Sequence, residues 1–349
     1  MRKRNEVTIY DIARKLDLSP ATVSRGLNDH PGIKDSTKKR INRMAEKLGY
    51  RVNTFASNLR RQRSNTLGVI VPRLNSEFMS KVLSEMEKVA NEAGYNLIIS
   101  QSLETVEKEI ANTKTMFNSR VDGLLVSLAY DTKDLSHINA FVKAGIPLVF
   151  FDRMAEHLNV TSVIIDNYKA GYEVTNHLIE QGCINIIHIT ANQLRNVYRD
   201  RLRGYKQALL EHDIPFDKNC VIITDLSEEA GVIIAKKILA MDKLPDGIFV
   251  ANDACAVSCM MTLKEAGIHI PRDIAVAGFN NSPISRVIVP KLTTVNYPAR
   301  KMGEVAMNKL INYLNGTTNI NETNTVILHS ELIVRNSTMR KSLVHKNGK

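Results

Sequence analysis

The sequence predicts two unlike parts: a small all-α helix-turn-helix head, and an α/β body of two doubly wound parallel-sheet lobes. Charge is the first observation behind this division. Residues 1–63 carry 16 Lys and Arg against 6 Asp and Glu, whereas the other 286 residues carry 31 against 30, so nearly all of the net +11 sits at the front. A basic head on a near-neutral body is the electrostatic footprint of a nucleic-acid reader joined to something else. The second observation is a pair of short amphipathic helical patterns separated by a few residues. The third is a long alternation of apolar runs and helical patterns from Thr66 onward, at a length that calls for more than one domain.

The head is VTIYDIARKLDLSPATVSRGLN at residues 7–28. Thr8 can N-cap a helix, with Asp11 reaching back as in a capping box, and Ile9, Ile12, Ala13 and Leu16 form its apolar stripe. The stripe stops at Asp17-Leu18 and a new helix starts at once. Ser19 is a good cap, and Pro20 suits the first helical position. A third helix runs from about Asp35 to Leu48, with Ile41, Met44, Ala45 and Leu48 apolar and Gly49 as its stop. Lys38, Lys39 and Arg43 lie off that stripe, placed for phosphate contacts. In such a motif the second helix enters the major groove with its N-terminal residues nearest the base edges. Pro20 and Ala21 suit a thymine methyl, Arg25 can fork onto guanine, and Thr22 and Ser24 can serve bases or phosphates. For Arg25 the plainer alternative is a phosphate contact. Val23 points inward.

The body reads as strands LGVIVP (67–72), NLIIS (96–100), DGLLVS (122–127), PLVFF (147–151), NIIHIT (185–190), DGIFVA (246–251) and IAVAGF (274–279), with helices between them. That is too many for one ordinary sheet. Ligands of such sheets bind beyond the carboxyl ends of strands, which makes Asp152, Asn252, Asp253 and Asn280 candidates. Asp152 and Asp253 have a bland alternative as helix caps, and Arg201 as the partner of a nearby carboxylate. Met79, Val82, Leu83, Met86, Val89 and Ala90 form a stripe broad enough for both an internal core and a partner surface.

Residues 7–60 closely resemble the DNA-binding head of the lactose-repressor/purine-repressor (LacI/GalR) family of bacterial regulators. The resemblance rests on SPATVSR at Ser19–Arg25, LGY at Leu48–Tyr50 and N-x-x-A-x-x-L at Asn53–Leu59. Asp17 stands where a glycine is usual in the turn, and Val52 where proline is common. The resemblance implies a hinge that folds on operator DNA, with Leu59 as the wedge between bases, Ala56 allowing close helix approach, and Arg60 in or beside the minor groove. It makes Thr8, Ser19, Pro20, Ala21, Thr22, Ser24, Arg25, Lys39, Asn53, Ala56, Leu59 and Arg60 the expected DNA contacts. It also extends through the body as a type I periplasmic-binding-protein-like clamp, with crossovers near residues 165, 292 and 325.

The implied organisation is a head at 1–50, a hinge at 51–65, an effector-binding and dimerisation body at 66–340 and a basic tail at 341–349. Lobe 1 would comprise about 66–165 plus 293–324, and lobe 2 about 166–292 plus 325–340. Arg73, Asp152, Arg201, Asn252, Asp253 and Asn280 would serve the effector, with Arg201 in RLRGY matching the family's R-x-x-G-Y helix start. Asn280 stands where aspartate is common. Arg73, Arg153 and Arg201 at the cleft without that carboxylate point to an anionic sugar derivative over a neutral saccharide.

The resulting expectation is a cytoplasmic, homodimeric regulator of a pseudo-palindromic operator, most simply a repressor, with activation as the alternative sign. No GxGxxG, P-loop, GxSxG or HExxH motif is present, so neither an enzyme nor a cofactor is expected. His188 reads as a core histidine. Cys183, Cys220, Cys255 and Cys259 lack metal-ligand spacing, so no metal is expected and the thiols read as free. The N-terminus has no apolar signal-peptide region, and no run is long enough to cross a bilayer. A bifunctional enzyme would need one of the missing motifs. A free-standing solute-binding protein would have no use for the basic head.

Overall fold

A computed structural model describes residues 7–50, 63–319 and 322–340; the expected hinge residues 51–62 and the tail 341–349 lie outside the described residues. The chain divides into a unit ending at Ser64 and a unit beginning at Asn65.

In the first unit, α1 (Ile9–Leu16), α2 (Pro20–Leu27) and α3 (Asp35–Leu48) pack around Ile12, Ala13, Val23, Ile41 and Ala45. The Asp11 carboxylate accepts from both the backbone nitrogen and the hydroxyl of Thr8, at 2.9 and 2.7 Å, which fixes the start of α1. Its end turns on Asp17, whose φ of 53° and ψ of 48° are the left-handed values that glycine adopts most readily. Ser19 caps α2 by accepting from the Thr22 nitrogen at 3.1 Å. Helices α2 and α3 cross closely at Gly26, where a Cβ would overlap Ile41 of α3.

Among the described residues, the second unit holds two six-stranded sheets. Lobe 1 has β1 (Thr66–Val71), β2 (Asn96–Gln101), β3 (Gly123–Val126), β4 (Leu148–Phe151), β5 (Thr161–Ile165) and β11 (Thr325–Leu328), in the order β11-β5-β4-β3-β1-β2. Lobe 2 has β6 (Ile186–Thr190), β7 (Val221–Ile223), β8 (Gly247–Val250), β9 (Ala275–Phe279), β10 (Thr293–Asn296) and β12 (Glu331–Ile333), in the order β12-β10-β9-β8-β6-β7. All pairings are parallel except β10 with β12. The connecting helices are α4 (Glu77–Glu92), α5 (Val106–Asn118), α6 (Ser136–Lys143), α7 (Asn167–Glu180), α8 (Asn196–Glu211), α9 (Glu228–Leu239), α10 (Asp253–Glu265), α11 (Ile284–Val287) and α12 (Ala299–Leu314). One apolar cluster runs from Met86 and Met307 in lobe 1 through Phe279 and Val295 to Val174 and Leu209 in lobe 2.

Two crossovers differ from the sequence expectation. Strand β10 stays in lobe 2 beside β9, so the second crossover falls after Asn296 rather than near 292. Strand β11 belongs to lobe 1 beside β5, so the third falls after Leu328 rather than near 325. The physical reason is polar burial. Thr293 and Thr294 are fully buried, with their hydroxyls bonded to Thr338 and Asp253, so β10 has no long apolar run to announce it. The α4 stripe is another correction. Met79, Val82, Leu83, Met86 and Ala90 are all buried within the lobe and Val89 partly so, so these side chains serve the internal core. Gly303 of α12 comes so close to α4 that a Cβ would overlap the Val82 carbonyl oxygen.

Among the described residues, no helix is long and apolar enough to cross a membrane, and no cluster of three or more potential metal ligands occurs. The four cysteines are free thiols. His188 is fully buried on β6, stacked against Phe249, and burial pushes its imidazole down to about 3.

Candidate functional site

Val23 and Gly26 turn α2 inward, and Ala21 and Arg25 are exposed on its other side. No partner holds the Arg25 guanidinium among the described residues, and Lys39 on α3 is likewise exposed and unpaired. Thr8 and Ser19 are exposed; Pro20, Thr22 and Ser24 are half-buried. The hydroxyls of Ser19 and Thr22 bond each other at 2.8 Å, so those two side chains are already partly committed to the helix start. Lys38 departs from expectation. Its ammonium lies 2.7 Å from Asp29 and 3.6 Å from Asp35, so local carboxylates already neutralise it. Asn53, Ala56, Leu59 and Arg60 lie outside the described residues.

In the body, Arg73, Asp152, Arg201, Asn252, Asp253 and Asn280 all line one cavity of about 1080 Å³ at the carboxyl ends of the strands. Arg201 is placed by its glycine. A Cβ on Gly204, one turn along α8, would overlap the Tyr168 carbonyl oxygen of α7, and a Cβ on Gly171 would overlap the Arg201 carbonyl oxygen. The two helices therefore touch backbone to backbone. Tyr205 completes the seat by donating to the Ile186 carbonyl at 2.8 Å.

The Arg201 guanidinium is 3% exposed and lies over the Phe279 ring at 3.5 Å. Its Nε donates to Asn167 at 2.9 Å and its Nη1 to the Ala251 carbonyl at 3.0 Å. Among the described residues, no carboxylate pairs with it and Nη2 has no hydrogen-bond partner. Burial pulls this guanidinium below its ordinary value, but arginine remains charged at any working pH.

Arg153 is different. Its Nη1 and Nη2 fork onto the two oxygens of Glu104 at 2.7 and 3.2 Å, Nη2 also reaches the Tyr198 hydroxyl, and the guanidinium lies 4.4 Å over Tyr130. Arg73 leans on the same Glu104 at 3.8 Å. The cavity wall carries as many carboxylates as basic side chains. Over the whole wall the positive surplus expected from three arginines is therefore absent: Glu104, in the loop after β2, offsets Arg153, and Asp152 and the other carboxylates of the wall offset the rest.

The other candidates divide by what already holds them. Asp152, at φ 60°, accepts from the Tyr297 hydroxyl at 2.6 Å through Oδ1, while Oδ2 has only a 3.4 Å contact from Ser127 and Arg153 Nε at 3.9 Å. Asn252 caps α10: its Oδ1 accepts from the Cys255 nitrogen and its Nδ2 donates to the Leu226 carbonyl, both at 2.9 Å. Asp253 is 1% exposed and accepts from Thr294 and Ser282. Asn280, at φ 109°, lines the cavity with a side-chain amide that has no partner among the described residues. Phe78, Tyr130, Tyr198 and Tyr297 add aromatic faces, and Phe78 stacks on Tyr297 at 4.4 Å. None of these four stood out in the sequence, because each lies in a segment with no motif of its own.

A helix-turn-helix head together with a two-lobed clamp defines a class of ligand-responsive DNA readers, and comparison with known proteins bears on it directly. Residues 8–53 match the family model described as bacterial regulatory proteins, lacI family, and residues 175–338 match a periplasmic binding protein-like domain. The chain is 33% identical to the HTH-type transcriptional regulator RegA of Clostridium saccharobutylicum, covering 95% of this chain and 99% of that one. It is 32% identical to catabolite control protein A of Priestia megaterium (89% and 94%), and 30% identical to the transcriptional repressor PurR of Vibrio atlanticus (95% and 98%). Among solved structures, a lac repressor dimer bound to operator and the anti-inducer ONPF superposes with a TM-score of 0.83 at 23% identity, covering 96% of this chain and all of that one. A complex of the transcriptional regulator CelR with cellobiose gives 0.72 at 25% identity, over 95% and 100%. The chain belongs to the lacI family of bacterial regulatory proteins, and is a DNA-binding transcriptional regulator of that family.

Proposed function

We propose that this protein is a cytoplasmic homodimeric repressor whose grip on a pseudo-palindromic operator is switched by a small, neutral, polyhydroxylated effector bound in the clamp, and that it carries out no chemistry on that ligand. The observation that carries the reading is the cavity floor. Among the described residues, Arg201 Nη2 offers a donor without a partner, Asp152 Oδ2 an acceptor held only by long contacts, and the Asn280 amide both kinds of group. Donors and acceptors converging beside aromatic faces suit the hydroxyls and apolar face of a sugar ring. An anionic effector is disfavoured because Glu104 neutralises Arg153 and Asp152 stays close by. The repressor sign is supported by the 30% identical PurR, and the sugar class by the cellobiose complex of CelR.

Homodimerisation is supported by an exposed aliphatic patch. Met261 of α10 is 49% exposed, and Val287 and Val289 are 75% and 72% exposed, with Lys264 of α10 bonded to the Val289 carbonyl. Large aliphatic side chains grouped on adjoining elements mark an interaction surface more often than scattered ones do. On the head, Arg25 would read a base edge and Lys39 a phosphate, with Thr8, Ser19, Pro20, Ala21, Thr22 and Ser24 around them.

A thermal-shift screen of neutral saccharides against their uronate and phosphate counterparts tests the effector reading. A ligand at about 100 times its Kd stabilises the folded state by about 2.7 kcal/mol. Neutral saccharides should raise Tm and alter mobility shifts on a pseudo-palindromic DNA. Stabilisation by acidic counterparts alone would overturn the neutral assignment.

A further inference from the structure

Asp253 was expected to meet the effector, but the structure surrounds its carboxylate with protein donors. Oδ2 accepts from the backbone nitrogen and hydroxyl of Ser282 at 2.7 and 3.0 Å, and Oδ1 accepts from the Thr294 hydroxyl at 2.7 Å. Thr294 in turn accepts from the Asn281 nitrogen at 3.2 Å. The residue therefore grips the turn that carries Asn280 on its C-terminal side, at Ser282 directly and at Asn281 through Thr294.

That turn needs gripping. Asn280 and Asn281 have φ values of 109° and 50°, both outside the range that non-glycine residues prefer, and such strain persists only where the surroundings hold it. The backbone makes room for the grip at Gly278 on β9, where a Cβ would overlap Asp253 Oδ1. Arg335 supports the far side by donating to Asn281 Oδ1 at 2.7 Å.

We propose that Asp253 is a positioning residue: its carboxylate fastens the turn at residues 280–282 and so presents the free Asn280 amide to the clamp cavity. The assignment rests on the reading of that cavity as the effector site. It removes Asp253 from the ligand contacts and makes it, with Gly278 and Thr294, the support on which the Asn280 contact depends.

Hydrogen exchange on the full chain tests the fastening, with cellobiose as the binding probe. In Asp253→Ala the amides of Asn281 and Ser282 should exchange about tenfold faster, the factor that corresponds to losing roughly one hydrogen bond. Asp253→Asn should largely restore protection, because its amide oxygen still accepts from Ser282 and the Thr294 hydroxyl can reverse. Amides of β6 should not change in either variant. Ser282→Ala, which leaves the carboxylate in place, should give the same local pattern at smaller size if Asp253→Ala folds poorly. Unchanged exchange at 281 and 282, or acceleration spread evenly over lobe 2, overturns the proposal.

For cellobiose, Asn280→Ala should weaken binding in the wild-type background and cost little more in Asp253→Ala. Full additivity of the two losses overturns the presentation of Asn280. If exchange responds as expected but cellobiose binds outside the clamp, unaffected by Asn280→Ala, the fastening stands and the cavity reading is what fails.

Discussion

Gly204→Ala isolates the contact that seats Arg201. A Cβ there would overlap the Tyr168 carbonyl oxygen and lie 2.5 Å from the Tyr172 nitrogen and 3.0 Å from the Gly171 carbonyl carbon. Comfortable contacts start near ~3.5 Å. All three obstacles are backbone atoms of α7, so no side chain can rotate aside. Helix α8 must instead move outward by about 1 Å, and overpacking of this kind costs about 1–3 kcal/mol. Alanine's better helix propensity returns about 1 kcal/mol. With backbone on both sides of the contact, the upper end of the overpacking range applies, leaving a net loss of about 2 kcal/mol. At roughly 2–4 °C per kcal/mol, Tm should fall by about 4–8 °C. Arg201 moves with the helix, so saccharide binding should weaken too. Differential scanning calorimetry and titration calorimetry read the two effects. A Tm equal to or above wild type, the result helix propensity alone predicts, would refute the close-contact argument.

Arg201→Met should remove one charge-assisted contact worth about 1.5–3 kcal/mol and weaken effector binding by roughly 10- to 150-fold, measured by titration calorimetry; wild-type affinity would sink the role of Nη2. On DNA, Arg25→Ala should cost about 1–3 kcal/mol at one guanine and relax preference there, whereas Lys39→Ala should weaken all sequences alike and flatten the salt slope. Lys38→Ala should leave that slope nearly unchanged, since Asp29 already neutralises the ammonium; equal slopes for the two lysine variants would contradict this. Burial pushes the Asp253 carboxyl up from 3.8 to about 6. Its folded value lies above its unfolded one, so the ionised form costs the native state on the order of 3 kcal/mol above pH 6, and that cost is relieved as pH falls toward 4. Wild type should therefore gain stability relative to Asp253→Asn between about pH 7 and pH 4.5; parallel melting profiles over that window would contradict it.

The sequence by itself determined the local elements and the class of protein. Thr8, Ser19, Pro20, Asp17 and Gly49 mark the head helices because caps and left-handed stops act over three or four residues of chain. The apolar runs from 67 to 279 are all strands, and apart from the edge strand β2 they are buried on both faces, where a strand must be apolar nearly throughout. The RLRGY pattern likewise marked Arg201 before its surroundings were known.

What tertiary structure decided depends on residues far apart in the chain. Strand β10 was hidden because its threonines are satisfied by Asp253 and Thr338, 41 and 45 residues away. The charge of the cleft could not be read from three arginines, because Glu104 reaches Arg153 across 49 residues of sequence and cancels it. Asn252 and Asp253 look alike as polar residues at a strand end. Only the fold shows one amide capping a helix and one carboxylate bonded to Ser282 and Thr294. Local hydrogen bonding and periodicity are written along the chain, whereas the partner of a buried charge is fixed only once distant segments have packed together.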